Sequence, residues 1–270
     1  MNSEVLYIEL FQPYAQYRNP FTFYYAQTFP LPPKSTIIGM LQNACDDWYG
    51  NKLGIENWWN LKVSVHGGFE SVFWNYQSLI KGSTYFVKSK DGKILGLENQ
   101  EMPLYGKGKT SQRSPVYQQE LFNGHLHIFL KGELIDEIKR ALEKSAKVLS
   151  LGRSEDIVFI RNIAITSGDE IDEDIFDLTL TYPTYIKNNI YLKMKKYPVY
   201  SIPTKVIFKN NDKAIKNKSE LNTSTFRDVD FQTVVYTGYD YTVEFVEPVR
   251  FTLYKEGTKE FYIINEYGWL

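Results

Sequence analysis

The chain is nearly without cysteine. Cys45 stands alone among 270 residues, which excludes an internal disulfide and leaves no cysteine set for zinc. Histidine is almost as scarce, with three residues in all. Neither sign of charge is in excess: 31 basic residues face 32 acidic ones, for a net charge of −1, which argues against a protein that coats nucleic acid by bulk positive charge. No apolar run approaches the roughly 20 residues needed to cross a bilayer, and Glu4 and Glu9 interrupt the first hydrophobic stretch. With no cationic, apolar leader either, the sequence reads as intracellular and cytoplasmic, with no membrane partner. Glycines are missing ahead of Pro32-Pro33-Lys34-Ser35, so backbone amides cannot wrap a nucleotide phosphate there as in a Walker motif. No pattern asks for a metal or a cofactor.

What is present is ordinary in amount and unusual in arrangement. Apolar residues make up 43% and charged residues 23%, enough for a real core in one large or two small domains at roughly 150 residues per domain. Charge is sorted along the chain. Nine lysines against Asp212 lie between Lys187 and Lys218, facing nucleic acid or merely water, whereas Asp169 to Asp177 holds six acids and no base. Six lysines and Arg113 oppose three acids between Lys81 and Tyr117. The 21 tyrosines and 17 phenylalanines suit strands, and they also suit stacking of unpaired bases.

Val5 to Leu10 reads as a strand and Gln12 to Pro33 as an extended loop. A helix is expected from about Ser35 to Tyr49, with Ser35 as its cap and Ile37, Leu41, Ala44 and Trp48 on its apolar face. Strand signals follow from Leu61 to Ile80 around Gly67-Gly68. Lys81 to Gln118 is polar and glycine-rich, a long protrusion. A strand at His125–Leu130, a helix running from Leu134 toward Leu149 and a strand from Ile157 to Ile165 complete the order strand, helix, strand, strand, helix, strand. That order is the ferredoxin-like split unit. The expected fold is therefore α+β: a ferredoxin-like domain over 1–168 with an insertion at about 81–118, then a smaller β-rich domain over 169–270. Lys209 to Thr225 is expected as a surface loop within the second.

Four groups of residues bear on chemistry. Arg18-Asn19-Pro20-Phe21-Thr22 and Lys34-Ser35-Thr36 meet at one edge of the first unit, where a phosphate can dock on free helix amides with Arg18 and Lys34 supplying charge; the alternative is a capped helix with solvated bases. Lys107, Lys109 and Arg113 on the protrusion can follow a phosphate backbone. Arg153, after Gly152, is a planar fork suited to phosphate or to an internal carboxylate such as Glu155 or Asp156. His125 and His127 share a face, with His66 as a neighbour, and could serve metal-independent RNA cleavage; satisfied core histidines are the plainer reading. Tyr7, Phe73 and Phe129 read as core rather than as base platforms, because an RNP-type run is missing.

Three of these segments together resemble the CRISPR-associated protein five family, the small RAMP subunit of type I surveillance complexes. The carriers are the strand leading to Arg18-Asn19-Pro20-Phe21-Thr22, the run Leu31-Pro32-Pro33-Lys34-Ser35-Thr36-Ile37-Ile38-Gly39-Met40-Leu41, and Leu151-Gly152-Arg153-Ser154-Glu155-Asp156-Ile157-Val158. The resemblance implies an RRM-like domain that grips the 5′ handle of the CRISPR RNA and caps the backbone of Cascade in antiviral defence, with the 81–118 insertion as a thumb. It also implies backbone and large subunits as partners, target DNA as an indirect one, and, from the length of the C-terminal region, subtype I-B. One branch of the family cleaves precursor RNA with a tyrosine and a Lys-His pair just ahead of a Gln-Arg step. Here Gln112-Arg113 follows Lys109-Thr110-Ser111, without the histidine. The expectation is a non-catalytic subunit that binds RNA through Arg18, Lys34, Ser35, Lys107, Lys109, Arg113 and Arg153, with a metal-independent endoribonuclease as the rival.

Overall fold

A computed structural model describes residues 4–22, 25–81, 86–88, 91, 94–97, 112–188, 192–193, 197–209 and 226–270. Lys107, Lys109 and nearly all of the Lys209 to Thr225 stretch lie outside the described residues. The first half runs β1 (Val5–Ala15), β2 (Tyr25–Ala26), α1 (Lys34–Ala44), α2 (Ile55–Asn60), β3 (Lys62–Lys81), β4 (Phe86–Lys88), β5 (Ile94–Leu97), β6 (Gln112–Lys131), α3 (Ile135–Glu143) and β7 (Phe159–Thr166). The second half is β8 (Asp169–Leu180), β9 (Thr184–Lys187), β10 (Val199–Lys209), β11 (Phe226–Thr237), β12 (Tyr241–Glu256) and β13 (Lys259–Ile264). Among the described residues no helix is long and apolar enough to cross a membrane.

The main sheet has the order β10-β11-β9-β3-β6-β1-β7, with β2 beside β6. Its β3-β6-β1-β7 portion is antiparallel throughout, and the helices α1 and α3 follow β1 and β6. β3 and β6 are each 20 residues long and stay in one register from Lys62–Lys131 to Lys81–Gln112. The Leu61–Ile80 signals are thus one strand, and residues 112–118 of the expected protrusion belong to β6. The acidic run from Asp169 is β8, whose Ile171 and Ile175 pack against a second core. The expected boundary at 168/169 falls between β7 and β8, but strands from beyond it return to the main sheet: His66 of β3 pairs with Thr184 of β9.

The first helix differs from expectation at both ends. Pro33, not Ser35, takes the N-cap position, and its carbonyl accepts from Thr36 and Ile37 N–H. With no side-chain oxygen to offer, Pro33 acts through its fixed φ of −64°. The helix stops at Ala44 because Asp46 turns to φ 52° and Tyr49 to φ 51°. The buried Asp47 carboxylate then accepts from Lys52 N, Leu53 N and Trp58 Nε1, the last at 2.7 Å, and leads the chain into α2.

Both faces of the central strands are covered. Leu6, Ile8 and Leu10 of β1 pack under Ile37, Ile38 and Leu41 of α1 and Ile138 and Leu142 of α3. The alternate residues Val5 and Tyr7, with Phe129 of β6, pack against Tyr254, Phe261, Ile263 and Trp269. These come from the three-stranded sheet β13-β12-β8 and the segment after it. Each such side chain stabilises the fold by about 1.5–3 kcal/mol through removal from water. A Lys259–Glu9 ion pair at 2.6 Å ties the two sheets at their edge.

Two histidines sit in that inter-sheet layer. His66 and His127 are cross-strand partners, 2% and 3% exposed. Ser64 Oγ lies 3.0 Å from His66 Nε2, and Tyr7 Oη lies 2.9 Å from His127 Nδ1. Burial, then the neighbouring His127, lowers His66 to about 3. Burial, then Lys259, lowers His127 to about 4 against the opposing pull of Glu9. His125 on the same strand and the rings of Tyr182 and Phe261 complete its surroundings. Both are neutral when folded and take up protons near pH 6.5 when unfolded, so stability is full above pH 6.5 and drains away toward pH 4 and 3. Urea unfolding at pH 7 and pH 5 should differ by about 1–2 kcal/mol per histidine. His127→Phe should flatten that dependence; identical midpoints for the parent at the two pH values would contradict it.

Candidate nucleic-acid interface

The turn after β1 is built to present Arg18. Asn19 N–H donates to Gln27 O at 2.8 Å, Phe21 N–H to Asn19 Oδ1 at 3.0 Å, and Gln27 N–H to Thr22 Oγ1 at 3.1 Å. Arg18 pairs in backbone with Thr28 and its side chain is exposed, beside a 65% exposed Phe21 whose ring lies 5.0 Å from Phe231. The turn thus offers a cation and a ring on a hydrogen-bonded backbone.

Lys34 does not join it. Its side chain is 6% exposed and its Nζ donates to Trp59 O at 3.0 Å and to the backbone oxygen of Leu270 at 3.1 Å. Burial first, then Lys205, Lys187 and Lys62, lowers it to about 8. The ammonium turned inward corrects the expectation of a cation at the helix start: it anchors the far end of the chain. Ser35 is half-buried and lines a groove of about 670 Å³ along α1, where, among the described residues, the charged lining side chains are Asp46 and Asp47. At the start of α1 Ser35 also shares a smaller recess with Lys205.

Arg153 is also engaged internally, on the carboxylates. Its Nη2 donates to Asp156 Oδ1 at 2.8 Å, Nε to Asp156 Oδ2 at 3.1 Å and Nη1 to Glu120 Oε1 at 2.8 Å, with Glu155 at 3.3 Å. Burial disfavours its charge, yet Asp156 and Glu120 outweigh burial and hold it above the ordinary guanidinium value. Gly152 makes the turn possible: it sits at φ 114°, and a Cβ there would lie 2.8 Å from Asp156 Oδ2 and 2.9 Å from Gln16 O. Arg113 is on β6 opposite Ile80, far along the hairpin from these groups in register.

Sequence reasoning missed the most exposed aromatic surface. Beyond Leu121, the last β1 partner of β6, the β3–β6 hairpin outruns the packed sheet. One face of this stem carries Val72, Trp74 and Tyr76 opposite Leu121, Gln119 and Tyr117, with Tyr25 of β2 paired to Tyr117. Tyr25, Trp74, Tyr76 and Tyr117 are 60%, 48%, 59% and 44% exposed. Tyr25 lies 5.9 Å from Tyr117 and 6.2 Å from Trp74, and Tyr76 lies 5.3 Å from Tyr117. The opposite face shows Tyr14, Phe73 and Phe122. The signal was available: Val72-Phe73-Trp74 and Tyr76 place large apolar residues on both parities of one strand, more than a half-buried strand can hide. Tyr7 and Phe129 are core, as read. Of the three histidines only His125 is exposed, against the Phe11 ring at 5.3 Å.

Comparison with known proteins adds a family. A family model described as CRISPR-associated protein (Cas_Cas5) matches residues 5–235. A search of curated proteins gave no match. Among solved structures, a chain of a "CRISPR RNA-guided surveillance complex" is 14% identical with a TM-score of 0.48, over 90% of this chain and 91% of that one. A CRISPR protein from Archaeoglobus fulgidus is 11% identical with a TM-score of 0.46, over 96% and 98%. A chain of the Type III-B Cmr-beta complex bound to cognate target RNA and AMPPnP is 12% identical with a TM-score of 0.37, over 90% and 86%.

The geometry of Arg153 predicts a structural residue. Arg153→Met strands the Asp156 and Glu120 carboxylates, whose side chains are 1% and 8% exposed, and should cost about 3 kcal/mol in chemical denaturation. A loss below about 1 kcal/mol, accompanied by lost RNA affinity, would instead make it a ligand of RNA.

Proposed function

Because this chain belongs to the CRISPR-associated Cas5 family, we propose that it is the non-catalytic subunit of a type I RNA-guided surveillance complex that holds the 5′ handle of the CRISPR RNA and caps the complex backbone. The observation that carries this reading is the family match across residues 5–235. On this reading β7-β1-β6-β3 with α1 and α3 is a ferredoxin-like unit over 1–168, the insertion at about 81–118 is its thumb, and 169–270 is the β-rich unit laid against it. Handle phosphates meet Arg18 and the thumb cations Lys107, Lys109 and Arg113. Unpaired bases stack on the Tyr25, Trp74, Tyr76 and Tyr117 face. Partners are the guide RNA and the other subunits of the complex.

Two physical features favour holding over cutting. His127 is sealed between the sheets and kept neutral by burial, so it has no path to a scissile phosphate. His125, the exposed one, faces Phe11 rather than a second acid–base group.

Handle RNA binding measured from low to high salt tests the reading. Arg18→Ala should flatten the slope of log affinity against log salt by roughly 0.7, one phosphate contact on a single strand. Trp74→Ala should weaken binding by about 1–3 kcal/mol with the slope unchanged. Parent affinity and slope in both variants, or cleavage of a repeat-containing precursor by the pure protein without metal, would overturn it.

A further inference from the structure

The groove on the outer face of α1 carries features that the RNA reading leaves unused. It runs along the helix from Ser35 to Asp46 and continues as a recess of about 160 Å³ toward Tyr49 and Trp59, with Val206 of β10 as its opposite wall. Three observations inside it point outward from the chain. Gly39 sits in the middle of α1 with an ordinary helical φ, and a Cβ there would meet nothing within 4 Å. Glycine weakens a helix interior relative to alanine, and no neighbour in this chain requires the missing methyl. The absent Cβ leaves clearance for something that approaches the helix backbone.

The second observation is Trp48. Its Nε1–H is buried without a hydrogen-bond partner, the one such side-chain atom among the described residues, and the indole lines both parts of the groove. A buried donor of this kind is costly unless an acceptor arrives.

The third is the edge of the sheet. β10 is the last strand in the order, paired on one side with β11. Phe208 N–H donates to Tyr49 Oη at 3.0 Å, the outward direction of a non-hydrogen-bonded position in the ladder opposite Arg227. Val206 opposite Val229 is two residues away in the same register and belongs to the same class, which aims its N–H and C=O away from β11 toward the groove.

Charge decides between occupants. Along the helix the charged lining side chains are Asp46 and Asp47. Asp47 is spent on Lys52, Leu53 and Trp58, and Asp46 on Lys147. Lys205, in the narrow end, has its Nζ 5.6 Å from the Trp59 ring. Among the described residues Lys205 is the one cation lining either part, too little charge for a run of phosphates, whereas a polypeptide strand brings neutral N–H and C=O groups that need no counter-charge. The 11 residues of α1 rise by about 16 Å, a span that about five extended residues cover at roughly 3.3 Å each.

We propose that a protein subunit of the assembly inserts an extended segment of about this length into the groove, adding a strand to the outer edge of β10 at Val206 and giving a carbonyl to the Trp48 indole. This rests on the assembly reading above but not on where RNA binds.

The test uses the complex reconstituted with guide RNA. Benzoylphenylalanine at Gln42, which lines the groove, should photocrosslink to a peptide of one other protein subunit. Gly39→Leu fills open space, and Val206→Pro removes an outward N–H that an edge strand can spare. Each should reduce retention of that subunit at least ten-fold. Binding of handle RNA by the isolated variant chain should stay within two-fold of the parent. Should either variant melt early, Trp48→Phe, which keeps the ring and deletes the donor, should give the same selective loss. Crosslinking to RNA, no crosslink to another subunit, or full retention of every subunit in variants that fold would overturn the proposal. Loss of handle binding by the parent chain would sink the RNA reading instead, and the two failures are read from separate measurements.

Discussion

The whole arrangement depends on β1 and β6 being buried on both faces. Helices α1 and α3 cover one side through Leu6, Ile8 and Leu10, and the small sheet β13-β12-β8 covers the other through Tyr254, Phe261 and Ile263. A sheet whose open face reads single-stranded RNA is a familiar use of this strand order, and here that face is closed by the protein's own second half. The rings of Tyr7 and Phe129 are consumed by packing, and His66 and His127 become neutral parts of the layer.

With its centre closed, the molecule shows its exposed rings where strands outrun their cover. The β3–β6 hairpin continues well past the last β1 partner of β6, Leu121, and it is there that Trp74, Tyr76 and Tyr117 stand in solvent. The Arg18 turn lies next to this overhang because β2, the short strand after the turn, pairs with β6 at Tyr117 and Gln118. Charge follows the same logic. Cations inside the covered region, Lys34 and Arg153, are held by carbonyls and carboxylates. Arg18, outside it, is exposed.

How much of this the sequence discloses depends on the range of the interaction. Elements fixed by local pattern were legible: the order β1, α1, β3, β6, α3, β7 follows from period-two and period-3.6 stretches, and the core role of Tyr7 and Phe129 follows from the missing RNP run. Helix ends were less so, because Pro33 caps without a side-chain oxygen while Ser35 looks like the cap. The acidic run from Asp169 to Asp177 lies on a strand that local pattern hides, since Ile171 and Ile175 are outnumbered by carboxylates. Fates decided by distant partners were not legible. Lys34 meets Leu270, 236 residues away, and Arg153 meets Glu120, 33 residues away. Arg153 beside Glu155 and Asp156 at least offered the carboxylate alternative; nothing near Lys34 announced its burial. The resemblance to the CRISPR-associated family rested on local motifs and held over most of the chain.

The claim that RNA is met only where the central strands escape their cover is tested most directly by ultraviolet crosslinking of guide RNA in the assembled complex, followed by mapping of the attached peptides. The account predicts adducts on the Arg18–Thr22 turn and on the hairpin stem around Trp74, Tyr76 and Tyr117. Adducts confined to β8, β12 or β13, with the stem unmodified, would contradict it.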